Sequence, residues 1–107
     1  MVERSVLKKI QSELFQGKII LIMGPRQVGK STLSEQLISS TKKDCLRFSG
    51  DDADIRTLFQ EMNEMKLRRL FGEYKLILID EAQRIENIGL TLKIAADRIK
   101  DVQVIAT

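Results

Sequence analysis

The sequence predicts an α/β domain in which helices cover both faces of a parallel sheet. Three observations support this fold class. Short apolar runs typical of buried strands alternate with amphipathic stretches at helical spacing. Glycine or polar residues separate the two kinds of segment. Each gap between predicted strands is long enough to hold a helix, as the crossover between parallel strands requires.

The first half of the chain predicts two helices and two strands. Gly17 follows the first helical stripe at a position where helices commonly end in the left-handed conformation. The next apolar run is rich in isoleucine and too short for a helix, which suits a strand covered on both faces. The predicted elements are, in order, a helix over residues 3–16, a strand over 18–23, a helix marked by Leu33, Leu37 and Ile38, and a strand over 45–48.

The second half of the chain predicts two further helices and two further strands. Acidic residues from Asp51 onward suit the positive start of a helix, whose apolar face continues to Leu70 before Gly72 stops it. The run YKLILI predicts a third buried strand, which ends in Asp80 and Glu81. The predicted elements are, in order, a single helix ending at Leu70, a strand over 74–79, a helix striped by Ile88, Leu92, Ala95 and Ile99, and a strand over 102–106.

Composition and charge are those of one globular domain over residues 1–107. Eighteen Lys and Arg against fifteen Asp and Glu leave a net charge of +3, and the basic residues are spread in pairs. This spread favours solvated helix surfaces over a nucleic-acid footprint, although binding to nucleic acid stays open. We predict a cytoplasmic protein with no membrane span, because the chain lacks an apolar run of about 20 residues and a signal-peptide pattern. The lone Cys45 cannot form an internal disulfide.

A glycine loop lies between the first predicted strand and the second predicted helix. The segment GPRQVGKS, residues 24–31, matches the pattern G-x-x-x-x-G-K-[ST] in the context that gives it meaning. Its glycines let backbone N–H groups converge on a phosphate, and the start of the helix aims its amides at the same point. Lys30 adds a positive charge for the β- and γ-phosphates, and the Ser31 hydroxyl suits Mg²⁺. The residues predicted to bind the nucleotide are Gly24, Pro25, Arg26, Gln27, Val28, Gly29, Lys30, Ser31 and Thr32.

Two adjacent carboxylates follow the third predicted strand in the segment LILIDEAQ. The carboxyl ends of parallel strands form the edge where ligands of open α/β folds bind, which places Asp80 at that edge. Asp80 is predicted to hold Mg²⁺ through water, and Glu81 to orient a water towards the γ-phosphate. A helix-capping pair is the alternative, which the upstream glycine loop disfavours. The predicted catalytic residues are Lys30 and Glu81, and the predicted metal ligands are Ser31 and Asp80.

From Lys18 onward the chain resembles the P-loop ATPases of the AAA-type group found in bacteria and archaea. The resemblance is carried by GPRQVGKS, by the LILIDE strand followed by Gln83, and by the RIEN segment. It implies a sheet order of 5-1-4-3-2, ATP as the nucleotide, and a polar residue after strand 4 that senses the γ-phosphate, where this chain has Thr107. It also implies an arginine donated between subunits, for which Arg26 and Arg84 are candidates, with ordinary exposed arginines as the favoured alternative.

The resemblance further implies a fifth strand and a carboxyl-terminal domain after the four-strand core. In a core without that strand, residues 19–23 form an unpaired hydrophobic edge strand, to which another chain can pair. We therefore expect either a fragment of a longer protein or a chain that covers this edge by association. Self-association through strand 1 predicts dimers or aggregates in light scattering, whereas a monodisperse monomer at high concentration would count against it.

These observations predict a Mg²⁺-dependent ATPase domain that hydrolyses ATP to ADP and phosphate, slowly in the isolated chain. The alternative is a non-hydrolysing module in which ATP stabilises one conformation for a partner. A guanine-specific switch is disfavoured because the third strand ends in DEAQ instead of D-x-x-G, and N-K-x-D does not occur. A small-molecule kinase is disfavoured because it has no need of a water-orienting glutamate. The process that hydrolysis drives is not indicated by the fold.

Overall fold

The computed structural model describes residues 4–22 and 30–107, with side chains described for 5–22 and 32–107. None of the helices in these ranges has the length and apolarity needed to cross a bilayer. The helices and strands are, in chain order, α1 (Arg4–Glu13), β1 (Ile20–Leu21), α2 (Lys30–Thr41), β2 (Cys45–Ser49), α3 (Ala53–Leu58), α4 (Glu64–Phe71), β3 (Leu76–Asp80), a short 3-10 turn (Ala82–Arg84), α5 (Ile88–Arg98) and β4 (Gln103–Ala106).

The four described strands form one parallel sheet in the order β1-β4-β3-β2. Ile105 of β4 pairs with Ile20 of β1 on one side and with Leu78 of β3 on the other. Cys45 at the start of β2 pairs with Leu76 at the start of β3. The predicted α/β class is confirmed, and this order agrees with the four-strand part of the order that the resemblance implies.

The central strand β3 is buried on both faces, as its continuous apolar run predicts. Ile77 and Ile79 belong to a hydrophobic cluster to which α4 contributes Leu67 and Phe71 and α5 contributes Ala95. Leu76 and Leu78 alternate with them and belong to a second cluster, to which α2 contributes Leu37 and against which residues of α1 pack. The sheet therefore lies between two helical layers, which makes a three-layer domain.

The predicted single helix ending at Leu70 is wrong, because two short helices, α3 and α4, occupy that segment. The chain turns between them and buries Phe59 completely, with its ring edge-on to Phe48 at 5.4 Å between centroids. Asn63 then caps α4, since its side-chain oxygen accepts a hydrogen bond from the Lys66 N–H at 2.9 Å. Apolar residues on both sides of the turn face the same core, so their spacing imitates one continuous stripe.

A buried glutamine fastens the α1–β1 connection to the amino end of the sheet. The Gln103 side chain accepts a hydrogen bond from the Phe15 N–H and donates to the carbonyl oxygens of Lys18 and Val104. Gly17 in this connection has a φ of 77°, the left-handed conformation that the sequence predicts, although α1 itself already ends at residue 13 instead of 16. The Gln103 side chain therefore joins the connection between α1 and β1 to the start of β4.

β1 lies at one edge of the sheet that the described residues form. It pairs with β4, and the Ile22 N–H extends the pairing by donating to the Ala106 carbonyl at 2.9 Å. Ile20 and Ile22 are buried, whereas Leu21 between them is 58% exposed. The expected position of this strand is confirmed for the described sheet, and association through it stays a prediction.

Candidate functional site

Among the described residues, the carboxyl edge of the sheet brings the end of β3 together with the residue that follows β4. Because the sheet is parallel, β1, β3 and β4 all end at one edge. α2, which begins at Lys30, follows β1, while Asp80 is the last residue of β3 and Thr107 follows β4. This is the edge at which ligands bind in open α/β folds.

The predicted phosphate-binding loop, from Gly24 to Gly29, lies outside the described residues. Lys30 and Ser31 are described only in their backbone, which forms the first turn of α2. Thr32, the next residue of that turn, has an exposed side chain. The roles assigned to the loop, to the Lys30 ammonium group and to the Ser31 hydroxyl therefore stay predictions.

Asp80 has one carboxylate oxygen engaged by two donors. Its Oδ1 accepts hydrogen bonds from the Thr107 hydroxyl at 2.5 Å and from the Glu81 N–H at 3.0 Å. Within the described part of the chain, the structure gives Oδ2 no hydrogen-bond partner. Such a carboxylate fits a Mg²⁺ site of the nucleotide-dependent kind, where one or two carboxylates act together with water and phosphate oxygens.

Glu81 has left-handed backbone angles, with φ 50° and ψ 43°, immediately after the end of β3. Non-glycine residues adopt this conformation uncommonly, at a cost of about 1 kcal/mol or more, and such residues cluster at functional sites. The carbonyl oxygen of Glu81 accepts from the Arg84 N–H, and the next peptide N–H, at Ala82, donates to the Thr107 carbonyl. The Gln83 amide donates to Glu81 Oε2 at 2.6 Å, so the carboxylate is also oriented.

The turn after β2 supplies site residues that the sequence analysis missed. The Gly50 N–H donates to the Asp80 carbonyl at 2.8 Å, which continues the pairing of β2 with β3 one residue past the end of β2. Asp51, which the sequence assigns only to a helix start, pairs with Arg84 at 2.7 Å between Oδ1 and Nη1, with both side chains about half exposed. The sequence does contain a signal for this turn, because SGDD directly follows the strand predicted over residues 45–48. In a parallel sheet the end of that strand lies at the same edge as Asp80.

The parallel sheet between two helical layers is consistent with the core of a P-loop nucleoside triphosphatase, and the family comparison gives the class. The AAA_14 family model, described as an AAA domain, matches residues 16–107. Since this match covers most of the chain, the chain belongs to the AAA_14 family of AAA domains.

Two curated mycobacterial proteins are similar to this chain. They are the uncharacterized proteins Mb2031c of Mycobacterium bovis and Rv2008c of Mycobacterium tuberculosis, and each is 34% identical over 95 residues. The aligned region is 89% of this chain and 20% of either relative, so the chain spans about one fifth of the length of the curated relatives it matches. The comparison with solved structures gave no significant match.

Proposed function

We propose that this domain binds ATP together with Mg²⁺ and hydrolyses it to ADP and phosphate. The observation that carries the proposal is the Asp80–Glu81 pair at the carboxyl end of β3, in a chain of the AAA_14 family. Its two carboxylates have different surroundings. The Asp80 carboxylate accepts through one oxygen from the hydroxyl of Thr107, the residue after β4. The Glu81 carboxylate belongs to a residue with left-handed backbone angles and accepts a hydrogen bond from the Gln83 amide.

Separate residues bind the phosphates and the metal ion in this proposal. The amides of the glycine loop and the Lys30 ammonium group bind the phosphates, and the Ser31 hydroxyl and Asp80 hold the metal ion. A Mg²⁺ ion held there would supply positive charge to neutralise the phosphates. The Thr107 hydroxyl keeps the Asp80 carboxylate in one orientation, and Oδ2, which has no hydrogen-bond partner among the described residues, would serve the metal ion.

Glu81 is the residue that orients the attacking water. A carboxylate accepts a hydrogen bond from water and directs a lone pair of the water oxygen towards the γ-phosphate. The hydrogen bond from Gln83 to Oε2 restricts the rotation of this carboxylate, so its orientation is set before the nucleotide arrives.

A second candidate function is a module that binds ATP without hydrolysing it. The observation that favours it is the ion pair between Arg84 and Asp51, because an arginine held within its own chain is not extended towards a neighbouring subunit. Without an arginine supplied to the transition state, hydrolysis in related systems slows by about 10³–10⁵. In this alternative, ATP acts as a conformational ligand.

The proposal is tested by nucleotide binding and turnover in matched variants. Mg-ATP at about 100 times Kd should raise the Tm by about 10–20 °C, because a ligand that binds only the folded state stabilises it by RT ln(1 + [L]/Kd). Lys30→Ala should lose this shift, whereas Lys93→Ala, which removes an exposed lysine from α5, should keep it. An equal shift in the Lys30 and Lys93 variants would remove the phosphate-binding role of Lys30.

Glu81→Gln separates hydrolysis from simple binding in the same assay. The amide should keep the Tm shift because it does not touch the phosphates, while turnover measured by phosphate release should fall to background. Turnover equal to that of the wild type would show that Glu81 does not orient the water. Binding by the wild type with no turnover at all would favour the conformational module.

A further inference from the structure

The peptides on both sides of Glu81 make hydrogen bonds to segments that are distant in the sequence, because the Asp80 carbonyl accepts from the Gly50 N–H and the Ala82 N–H donates to the Thr107 carbonyl. We define the β2 turn as residues 50–52, which connect β2 to α3. This turn lies against the segment that runs from Asp80 to Arg84, through the hydrogen bond from the Gly50 N–H to the Asp80 carbonyl. Glu81, which the proposed function uses to orient water, therefore lies in a segment that contacts a turn about thirty residues away in the sequence.

Gly50 allows an approach between backbones that no other residue would permit. A Cβ at this position would lie 2.1 Å from the carbonyl oxygen of Glu81 and 3.0 Å from its carbonyl carbon. It would also lie 3.4 Å from the Arg84 Cβ. Real Cβ atoms essentially never approach other heavy atoms within 3.0 Å, and a peptide group cannot rotate aside as a flexible side chain does. A residue larger than glycine therefore requires either the β2 turn or the Glu81 peptide to move.

Two side chains hold the β2 turn in this position. Arg56 of α3 donates from Nη1 to the Gly50 carbonyl at 2.8 Å. Asp51 pairs with Arg84, which lies one residue beyond the Gln83 that orients the Glu81 carboxylate. The turn is therefore attached both to its own helix and to the segment that contains Glu81.

We propose that Gly50 is a positioning residue for Glu81. The absence of a side chain lets the β2 turn close on the Glu81 peptide, and this contact sets the direction in which the Glu81 carboxylate points. The inference rests on the proposed function for its effect on turnover, and on the contact alone for its effect on the backbone. Displacement of a reacting group by about 1 Å costs about 100-fold in rate, so a small shift of this peptide has a large consequence.

The test compares Gly50→Ala with Gly89→Ala in the intact protein. The two changes are chemically the same, but a Cβ on Gly89 in α5 meets nothing within 4 Å. Gly50→Ala should lower kcat about 100-fold and leave the Kd for Mg-ATP within about threefold of the wild type. Gly89→Ala should change neither. A Gly50→Ala protein with wild-type kcat, or one that loses kcat and nucleotide affinity together, would overturn the inference.

A second readout needs neither nucleotide nor turnover. The ¹³Cα and ¹³Cβ chemical shifts of Glu81 report its backbone angles, and in Gly50→Ala they should leave the left-handed values of the wild type. Unchanged shifts would overturn the inference. If the wild type and Glu81→Gln hydrolyse ATP equally, the proposed function fails, and these shifts alone then decide whether Gly50 sets the Glu81 backbone.

A variant at Arg56 covers the case in which Gly50→Ala does not fold. Arg56→Gln keeps the glycine and removes the charged donor to its carbonyl, so kcat should fall about fivefold with Kd unchanged. Arg56→Lys should restore part of that loss. Arg69→Gln, which removes an exposed arginine from α4, should have no effect. Wild-type kcat in Arg56→Gln would overturn the role given to the β2 turn.

Discussion

The buried polar side chain at the amino end of the sheet and the acidic one at the carboxyl end differ in how fully they are hydrogen-bonded. At the amino end, Gln103 is 1% exposed, and its amide makes three hydrogen bonds, all to backbone groups. At the carboxyl end, Asp80 is half-buried, and two donors share a single oxygen of its carboxylate. The polar groups at the amino end join parts of the chain, whereas at the carboxyl end Asp80 Oδ2 has no hydrogen-bond partner in the part of the chain that the structure describes.

Gln103 of β4 and Asp80 of β3 therefore lie on neighbouring strands, but we expect the first to contribute mainly to stability and the second mainly to function. A buried polar group with every partner in place makes a local structure rigid, and removing one partner leaves others unsatisfied at a cost. A carboxylate that uses only one oxygen within the described residues contributes less to the folded state, and under the proposed function its other oxygen serves the metal ion. Variants at the two ends should therefore affect different measurements.

The largest expected effect is on turnover in Asp80→Asn. The amide oxygen of asparagine can accept both hydrogen bonds that Asp80 Oδ1 accepts, so the free energy of unfolding without nucleotide should change by less than about 1 kcal/mol. The lost negative charge should lower kcat by about 100-fold or more, since electrostatic contributions of this kind are typically worth about 10²–10³. Urea denaturation and phosphate release measure the two quantities. A large loss of stability without loss of turnover would reverse the comparison between the two ends.

The next effect is on stability, in Gln103→Leu at the amino end. Leucine leaves the Phe15 N–H and the Lys18 carbonyl without their side-chain partner, so the free energy of unfolding should fall by about 2 kcal/mol. Nucleotide affinity of the folded protein should stay within about threefold of the wild type, because the substitution is at the edge opposite the site.

Gln36→Leu is the matched control for this substitution. It makes the same chemical change on the exposed side of α2, where an effect below about 0.5 kcal/mol is expected. Equal stability losses in the two variants would show that burial of Gln103 does not determine the cost. Loss of nucleotide affinity in Gln103→Leu would show that the two ends are coupled.

Most of the fold is predictable from the sequence because its signals are local. The run from Leu76 to Ile79 is apolar at every position, as expected for a central parallel strand, and the stripe from Ile88 to Ile99 matches α5. The break between α3 and α4 is also marked locally, because Asn63 followed by Glu64 is a helix start. In the sequence, however, this helix-start signal is hidden, because apolar residues continue at helical spacing through the break.

The site is predictable only in part, because its remaining features depend on contacts between distant segments. Asp80 and Glu81 are recognisable from their place after a buried strand. The need for glycine at position 50 is not, because it arises from the Glu81 carbonyl oxygen, which a Cβ there would meet at 2.1 Å. Likewise, no local pattern pairs Asp51 with Arg84, which are 33 residues apart.

The smallest expected effect concerns the exposed ion pair at the amino end. Lys75, which precedes β3, contacts Asp101, which precedes β4, at 2.7 Å between Nζ and Oδ2. The hydrogen bond from the Lys75 ammonium group lowers the pKa of the Asp101 carboxyl below its ordinary value. Because both side chains are half exposed or more, solvent screens the pair, and we expect it to contribute no more than about 0.5 kcal/mol.

The pH dependence of Asp101→Asn checks this estimate and its sign. A carboxyl whose pKa is lowered by folding contributes stability above its unfolded pKa of about 3.9, and that contribution is lost as the pH falls through the folded value. The difference in unfolding free energy between wild type and Asp101→Asn should therefore be small but measurable at pH 7, and should vanish at the acid end.

Asp97→Asn, on the exposed face of α5, provides the control. A difference that grows on acidification would contradict the pairing. A difference at pH 7 as large as that of Gln103→Leu would mean that the surface of the amino end, and not its buried amide, holds that edge together.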